Sequence, residues 1–248
     1  MGAATDRTTV PRYVQIADSL LEQIESGELA PGDRLLPERE LSETWHVSRM
    51  TARAALQSLE AQGLLVRRQG AGTFVAEPKY ERRAGKLVPF TEVMRRRGYK
   101  TGATVIMCDK RPVETSVAQK LQLSLSALIY VIHRLRLINE EPVLLEKFTM
   151  PVERFPDLEQ YDLESRSVYE IARTEYGIVA TEAQQSLEPV LATEYEAELL
   201  GILPGAPLML ERRLALDQNR RPLEYGHDLY RGDRFRFITE IAPLDEMG

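Results

Sequence analysis

The sequence has few of the residues that build disulfides and metal centres. It contains one cysteine, Cys108, and three widely separated histidines, His46, His133 and His227. A single thiol cannot form an internal disulfide, and a zinc site needs several Cys or His ligands at characteristic spacings. We therefore expect no metal site and no cofactor.

Long apolar runs are also missing. No run approaches the roughly 18 residues that mark a membrane-spanning helix, and the N-terminus MGAATDRTTVP lacks the basic and apolar regions of a secretion signal. These absences predict a cytoplasmic protein with no membrane partner. The 248 residues, 43% hydrophobic and 28% charged, suit a globular chain of two modest domains.

An excess of positive charge is absent from the chain as a whole. There are 32 Lys and Arg against 38 Asp and Glu, but the distribution is uneven. Residues 79–100 hold 8 basic against 2 acidic side chains, whereas residues 101–248 hold 16 against 25. Residues 46–78 carry four arginines against two glutamates, so a local positive face is expected in spite of the acidic total.

The N-terminal part begins with a predicted amphipathic helix. Ile16, Leu20 and Ile24 are four residues apart and therefore share a helix face. Pro11 precedes this pattern and Gly27 follows it, which are typical signals for the start and the end of a helix.

The following residues predict two more helices and a hairpin. ERELSETW forms a short helix, and Ser48 can cap the next one, which Gly63 ends. LLVRR and TFVA then predict two strands around the tip Gln69-Gly70-Ala71-Gly72. Three helices followed by a hairpin are typical of a winged helix-turn-helix, whose recognition helix enters the major groove of DNA and whose wing reaches the minor groove.

The remainder predicts an α+β domain with a mainly antiparallel sheet. The basic stretch at 77–88 is expected to be a linker, which gives three segments: 1–76, 77–88 and 89–248. RLRLINEEPVLLE and RLALDQNRRPLE are similar, each reading as strand, polar turn, proline and strand. Two such hairpins could face each other across a shared cleft, or the likeness could be generic hairpin composition.

Four polar side chains mark a DNA-facing surface. Arg49 and Arg53 lie one turn apart near the start of the predicted recognition helix, where an arginine can donate two hydrogen bonds to guanine. Ser48 and Thr51 can hold phosphates. The alternative is an ordinary solvated face of a helical bundle, which the wing downstream makes the weaker interpretation.

The run LLPERELSETWHVSRMTARAALQSLEAQGLLVRRQGAGTFV resembles the DNA-binding domain of GntR-type bacterial transcription regulators. One departure is Leu36-Pro37, where the family has Pro-Ser; the short helix thereby loses a serine cap, and with it a phosphate contact. The resemblance implies that the DNA contacts are Arg39, Ser48, Arg49, Thr51 and Arg53, with Gln69, Gly70 and Gly72 at the wing.

The second half decides the branch of that family. FTEVMRRRG, IHRLRL, EPVLLEKFTMP, SVYEI, LLGILPGAPLMLERR and RRPLEYGHDLYRGDRFRF resemble, in order, the effector domain of the HutC-type branch, whose fold is related to chorismate lyase. This similarity spans about residues 88 to 241. The chain is too short for the aminotransferase-like branch.

Strand geometry points to an anion site in this half. Arg134 and Arg136 are two residues apart in a predicted strand, so they project from one face and can grip a phosphate or a carboxylate. Ser167 begins a predicted helix, whose free N–H groups also favour an anion, and Tyr169 follows it. The alternative is surface ion pairing of the two arginines.

The resemblance extends to the ligand class. Members of the branch that respond to amino-sugar phosphates have an equivalent residue set, which makes a phosphorylated sugar the favoured effector; part of the set recurs in sensors of other ligands. The expected ligand-binding residues are Phe90, Thr91, Arg134, Arg136, Glu146, Ser167, Tyr169, Glu224 and Tyr230.

These features predict a repressor that binds a two-fold symmetric double-stranded DNA operator as a homodimer and responds to a small anionic effector. The same regulator could instead sense another organic acid or an amino-acid-derived ligand. Two further alternatives are an enzyme, favoured only by the lyase-like fold, and a DNA-binding protein with a degenerate pocket. No catalytic constellation stands out, so we expect no enzyme.

Overall fold

The computed structural model describes residues 10–68, 70–85 and 88–240. The chain divides into two compact units, Met1–Tyr80 and Glu81–Gly248. Gln69, predicted to contact DNA from the wing, lies outside the described residues. Across the described ranges, no helix has the length and apolar character that a membrane span requires.

The first unit consists of three helices and a two-stranded antiparallel hairpin. Its elements are α1 (Arg12–Ser26), α2 (Glu38–Thr44), α3 (Arg49–Ala61), β1 (Leu65–Arg68) and β2 (Gly72–Val75). Helix α1 begins directly after Pro11 and ends at Gly27, whose φ of 81° lies in the left-handed region that closes many helices. The predicted start and end of this helix are confirmed.

The apolar faces of these helices form one core. Ile16 and Leu20 of α1 pack in the same cluster as Ala52, Leu56 and Leu59 of α3, all of them buried. Ile16 and Leu20 are positions that helical spacing assigned to one face of α1. The order of helices and hairpin, with this packing, confirms the winged helix-turn-helix arrangement.

The second unit is an α+β domain built on an antiparallel sheet, as predicted. The elements that follow β2 are β3 (Tyr80–Arg83), α4 (Phe90–Arg96), β4 (Thr101–Pro112), α5 (Thr115–Leu121), β5 (Leu128–Ile138), β6 (Glu141–Pro151), the 3-10 turn Leu158–Gln160, α6 (Val168–Tyr176), β7 (Ala180–Leu191), α7 (Glu194–Leu200), β8 (Pro207–Asp217), β9 (Pro222–Arg231) and β10 (Phe235–Ile238). The sheet has six strands in the order β4-β5-β6-β9-β8-β7, and β3 pairs separately with β10.

The unit repeats one pattern of elements. The series α4-β4-α5-β5-β6 is followed by α6-β7-α7-β8-β9, and the two halves meet where β6 pairs with β9. In that pairing Phe148 lies opposite Gly226, and Glu146 lies opposite Asp228. These four positions therefore lie on one face of the sheet. The two similar hairpins therefore lie side by side in one sheet, and the expectation that they face each other across a cleft is wrong.

The two faces of the sheet have different partners. On one face Phe148 and Met150 pack against Ile171 of α6. On the other face α5 and α7 cover alternate residues such as Val131 and Leu145. Since successive side chains of a strand point to opposite faces, the predicted effector residues of β5, β6 and β9 share the α6 side.

A strand lies inside the stretch that was expected to be an irregular linker. Strand β3 pairs with β10, and the Ala84 N–H donates a hydrogen bond to the Ile238 carbonyl at 2.9 Å. The basic composition of residues 77–88 suggested a solvated segment. Its arginines instead find acidic partners elsewhere in the second unit, which offsets the cost of ordering the chain.

Candidate effector site and nucleic-acid interface

Ser48 organises the start of α3. Its Oγ accepts a hydrogen bond from the Thr51 N–H at 3.1 Å and lies 2.9 Å from the Thr51 hydroxyl oxygen. This N-cap satisfies one of the free N–H groups at the helix start. Arg49 beside it is exposed and makes no hydrogen bond or ion pair within the described part of the chain. Its guanidinium is therefore free to reach a base edge or a phosphate.

Glu38 holds two arginines of the expected positive face. Arg53 donates to both Glu38 oxygens, with Nε at 3.0 Å from each and Nη2 at 2.7 Å from Oε2. Arg67 Nη2 donates to Oε1 at 2.7 Å. The hydrogen bond from Arg53 lowers the pKa of Glu38 in spite of partial burial, and Arg67 adds to the effect. Arg53 thus differs from Arg49, because a DNA contact would have to compete with Glu38.

Helix α2 begins without a side-chain cap, in line with the departure of this sequence from the family pattern. Its N-cap residue is Pro37, which cannot accept a hydrogen bond through its side chain, and the preceding Leu36 is exposed. Arg39 is exposed and pairs with Glu43 one turn along the helix, Nε to Oε1 at 3.0 Å. An exposed pair of this kind is weak, so Arg39 can exchange Glu43 for another anion.

The wing requires glycine for space as well as for backbone shape. Gly72 has a φ of 122°, and a Cβ there would lie 2.9 Å from Arg34 Nε. Gly70 has a φ of 74°, again in the region that side chains disfavour. Arg68 lies with its guanidinium 4.7 Å from the centre of the Phe74 ring. A cleft of about 520 Å³ separates this hairpin from the start of α2.

In the second unit the two strand arginines do grip one anion, but that anion is Glu146. Arg134 Nε donates to Glu146 Oε2 at 3.0 Å, and Arg136 Nη1 donates to the same oxygen at 3.1 Å. Arg134 Nη1 also donates to the Leu163 and Arg166 carbonyls, at 2.7 and 3.3 Å. Arg134 is 1% exposed and lines neither cavity of this region, so surface ion pairing does not describe it either.

Arg136 keeps contact with the cavity side. Its Nη2 donates to the Thr91 hydroxyl at 2.7 Å, and its guanidinium stacks 4.7 Å from the centre of the Phe90 ring. Ser167 is the N-cap residue of α6, but its side chain makes no capping bond. Thr91, Ser167 and the first N–H groups of α6 therefore form a corner of the site. This corner offers more hydrogen-bond donors than the protein's own acceptors use.

A third buried arginine, which the sequence did not single out, organises the other half of the site. Arg213 Nη1 donates to Glu211 Oε1 at 3.1 Å and to Asp228 Oδ2 at 3.2 Å, and its Nε donates to Glu224 Oε1 at 2.9 Å. All four side chains are buried. The alternation of side chains along a strand could have identified these residues. Asp228 lies between Glu224 and Tyr230 on one face of β9, and Glu211 and Arg213 are two residues apart on one face of β8.

Glu224 lies deep in this cluster. The Tyr169 hydroxyl donates to its Oε1 at 2.6 Å, whereas its Oε2 is buried with no hydrogen-bond partner among the described residues. Gly226 permits the arrangement, since a Cβ there would lie 2.8 Å from Arg213 Nη2 and 3.0 Å from Glu224 Oε2. The orphan oxygen can accept a hydrogen bond from a ligand hydroxyl or ammonium group.

The surroundings of Glu146 and Asp228 shift the pKa values of these two carboxyl groups in opposite directions. Burial alone would raise the pKa of Glu146, but Arg134 and Arg136 lower it to about 2. Burial raises the pKa of Asp228 to about 8; Arg213 opposes the shift, and nearby carboxylates led by Glu146 add to it. The arginines therefore favour the ionised form of Glu146, whereas burial favours the protonated form of Asp228 on the adjacent strand.

Two cavities meet at this cluster. An outer cleft of about 490 Å³ opens between α4 and α6. An inner cavity of about 20 Å³ lies against the charged strands, and a water molecule needs about 10–15 Å³ on this measure. Pro89, Ser167 and Tyr169 border both spaces. The inner cavity is lined by Arg82, Val88, Pro89, Phe90, Arg136, Glu146, Phe148, Ser167, Tyr169, Arg213, Asp228 and Tyr230.

The structure thus brings most of the predicted effector residues together. Seven of the nine border a cavity, while Arg134 and Glu224 lie behind the lining. Among residues 10–68, 70–85 and 88–240, no cluster of His, Cys, Asp and Glu has the arrangement of a metal site.

Comparison with known proteins decides the family. The model of the gntR family of bacterial regulatory proteins matches residues 12–75, and that of the UTRA domain matches residues 96–236. The chain belongs to the GntR family. Within it, the pairing with a UTRA domain places this GntR regulator in the HutC branch, as the sequence motifs predicted. Its relatives are transcriptional repressors, and the family is one of regulators rather than enzymes.

Several relatives match this GntR regulator along almost their whole length. It is 38% identical to the HTH-type transcriptional repressor NagR of Bacillus subtilis, over 96% of this chain and 98% of the relative. It is 32% identical to the mannosyl-D-glycerate transport/metabolism system repressor MngR of Escherichia coli, over 94% and 96%. The crystal structure of PhnF from Mycobacterium smegmatis is 28% identical, with a TM-score of 0.66, over 94% of this chain and 99% of that one.

Proposed function

We propose that this GntR regulator is a homodimeric repressor that binds a two-fold symmetric operator, and that a phosphorylated sugar or amino sugar modulates its DNA affinity. The proposed domains are 1–76 for DNA binding, 77–88 as the connection and 89–248 for the effector and the dimer. The observation that carries the effector class is the polarity of the site: donors gather at the Thr91–Ser167 corner, and charged groups of both signs line the inner cavity, namely Arg82, Arg136, Arg213, Glu146 and Asp228.

That polarity matches a ligand with two unlike ends. Arg136, Ser167 and the start of α6 can hold a phosphate where the outer cleft meets the inner cavity. Glu146 and Tyr230 line the inner cavity and can accept hydrogen bonds from sugar hydroxyls or an ammonium group, because carboxylates and phenol oxygens are good acceptors. Glu224 lies behind this lining, and its unused oxygen becomes an acceptor when the cavity widens. Among the relatives, MngR is named for mannosyl-D-glycerate and a further E. coli repressor, 28% identical, for fructoselysine, both sugar derivatives.

The effector half of the proposal is tested by thermal shift and calorimetry. Glucosamine 6-phosphate should raise the melting temperature, and unphosphorylated glucosamine should not, because the phosphate supplies the contact to Arg136 and Ser167. Ser167→Ala and Arg136→Met should each weaken binding by about ten-fold or more. Arg212→Met, on the opposite face of β8, is the control.

The alternative ligand classes belong in the same screen. The fructoselysine relative specifically favours including a sugar–amino acid conjugate, alongside citrate and free amino acids. A shift in melting temperature with one of these compounds, and none with sugar phosphates, would change the proposed ligand class. The proposal that the protein is an effector-responsive regulator would stand. Product formed from any of these compounds would contradict a purely regulatory role.

The DNA half is tested on an operator selected from random duplexes. The selected sequence should be two-fold symmetric and should bind two chains. Arg49→Ala should then weaken operator binding by roughly 1–3 kcal/mol while leaving random DNA nearly unaffected, if this free guanidinium reads a base. Gln62→Ala, at the far end of α3, is the control. An equal loss on random DNA would assign Arg49 to a phosphate.

The remaining DNA contacts stay part of the proposal. They are Arg39, Ser48, Thr51, Arg53, Gln69, Gly70 and Gly72. Arg53→Ala should weaken operator binding less than Arg49→Ala as long as Glu38 is ionised, because Arg53 is already bound to Glu38.

A further inference from the structure

Arg82 is a wall residue of the inner cavity that comes from β3 and not from the central sheet. Its side chain is 12% exposed, and Nε donates to Glu211 Oε2 at 3.2 Å while Nη2 lies 3.4 Å from Oε1. The guanidinium lies 5.4 Å from the centre of the Tyr230 ring. Glu211 is fully buried, so this contact is made in a largely dry environment.

Its neighbours on β3 behave differently. Arg83 pairs with Glu240 at 2.9 Å, and Glu81 pairs with Arg236, but these side chains are open to solvent. Exposed pairs of this type contribute little to stability. Arg82 is therefore the ionic anchor of β3 to the interior, while the pairing with β10 supplies its backbone bonds.

The position of β3 in the chain also connects this anchor to the DNA-binding unit. Tyr80 ends the first unit and Glu81 begins the second, so the chain enters the effector unit through β3. Arg82 is the second residue of that unit and already touches the effector cavity. A change in the cavity wall at Arg82 is thus a change in the segment that is joined to the DNA-binding unit.

The inner cavity must change when it accepts more than one small group. Its volume of about 20 Å³ suffices for one water-sized group. Most of its charged wall is held by the antiparallel ladders of β5, β6, β8 and β9, which resist displacement. The remaining wall lies outside those ladders, and Arg82 is its one charged member: it is formed by Arg82, by Val88, Pro89 and Phe90 before and at the start of α4, and by Ser167 and Tyr169 at the start of α6.

We propose that Arg82 is a positioning residue that couples the occupancy of the inner cavity to operator affinity. Glu211 bridges Arg82 to Arg213, and Arg213 holds Asp228 in the cavity wall. A ligand group that hydrogen-bonds to this cluster competes for Glu211 or displaces the guanidinium, and either change releases the inward anchor of β3. The coupling rests on the proposed regulatory function but not on which effector is bound.

The first test measures operator affinity without any effector. Arg82→Met, and the double variant Arg82→Met/Glu211→Gln that removes both charges, should raise amide hydrogen exchange at residues 80–84. Both should weaken operator binding by about ten-fold, because a loosened β3 leaves more conformational freedom to be lost on DNA. Arg82→Lys should restore most of the affinity, and Arg83→Met, on the same strand, should match the wild type.

The proposal is overturned if the folded Arg82 variants bind the operator as tightly as Arg83→Met does. It is also overturned if Arg82→Lys fails to restore affinity while Arg82→Met and the double variant exchange no faster than wild type. A second arm adds glucosamine 6-phosphate at a concentration that calorimetry shows to saturate each protein: Arg82→Met should then lose most of the effector-dependent change in DNA binding that the wild type shows. If no sugar phosphate binds the wild type, the proposed ligand class fails, and the effector-free arm still decides the role of Arg82.

Discussion

Glu146 borders the inner cavity, but its carboxylate is already held by two buried protein side chains. Two arginines donate to the same carboxylate oxygen, and their positive charge holds the pKa of Glu146 near 2 in a buried position. Replacing one member of such a group leaves the others buried without a counter-charge. The same reasoning separates Arg134, which is saturated by protein acceptors, from Arg136, which retains a cavity face.

Glu146→Gln should destabilise the protein by about 3–5 kcal/mol, because Arg134 and Arg136 would then face each other with no anion between them. Urea unfolding measures this loss. The matched control is Glu182→Gln, which breaks an exposed pair with Arg220 and should cost less than about 1 kcal/mol. Equal losses for the two variants would mean that Glu146 carries no special charge role.

At the scale of elements, strand β9 carries the recognition chemistry on alternate residues. Glu224, Gly226, Asp228 and Tyr230 share one face, and all four are buried. The glycine in this row leaves the space that Arg213 occupies between β8 and β9. A strand interior usually disfavours glycine, so its presence here indicates a close approach by a neighbouring side chain.

Gly226→Ala should lower the free energy of unfolding by about 1–3 kcal/mol, because its Cβ would displace Arg213 from Glu224. It should also weaken effector binding. Gly102→Ala in β4 is the control, since a Cβ there meets only Leu137 at 3.9 Å. Chemical denaturation compares the two variants, and a loss at Gly102 as large as that at Gly226 would contradict the steric explanation.

At the scale of the whole molecule, charge is divided between surfaces with different tasks. The formal net charge is −6, yet the Arg49 side chain is unpaired in the described structure and the wing of the same unit carries Arg67 and Arg68. A protein of this kind should bind its operator with strong salt dependence, because phosphate contacts release counterions. The interior of the effector unit holds a second concentration of charge, which makes stability depend on pH.

The melting temperature should fall as pH rises from about 5 to about 8 through the contribution of Asp228. Its pKa in the folded state is raised to about 8, so the folded protein binds a proton that the unfolded chain releases near pH 4. Stability from this group is therefore present at low pH and lost as pH approaches 8. Glu146, with its lowered pKa, contributes in the opposite direction only as pH falls toward 2.

Asp228→Asn removes the titrating group and keeps an oxygen acceptor for Arg213. Its melting temperature should change less than that of the wild type between pH 5 and pH 8, with a remaining slope from Glu224, whose pKa burial also raises. Differential scanning calorimetry at a series of pH values gives the comparison. Parallel curves for the two proteins would show that Asp228 is ionised throughout.

The sequence by itself determined the elements whose signals are local. Pro11 and Gly27 bound α1, Ser48 caps α3, and the alternation along β9 puts Glu224 and Tyr230 on one face. Caps, helical spacing and strand alternation depend on neighbouring residues, so they can be predicted without knowing the fold. The family motifs belong to the same local signals.

Only the tertiary structure decided which charges meet. Arg134 and Arg136 bind Glu146 through the register of β5 on β6, and Arg53 meets Glu38 across 15 residues of sequence. The strand in the expected linker pairs with β10, and its Arg82 reaches Glu211, 129 residues away. Such partners depend on strand register and helix packing, which bring distant segments together, and local propensity carries no information about them.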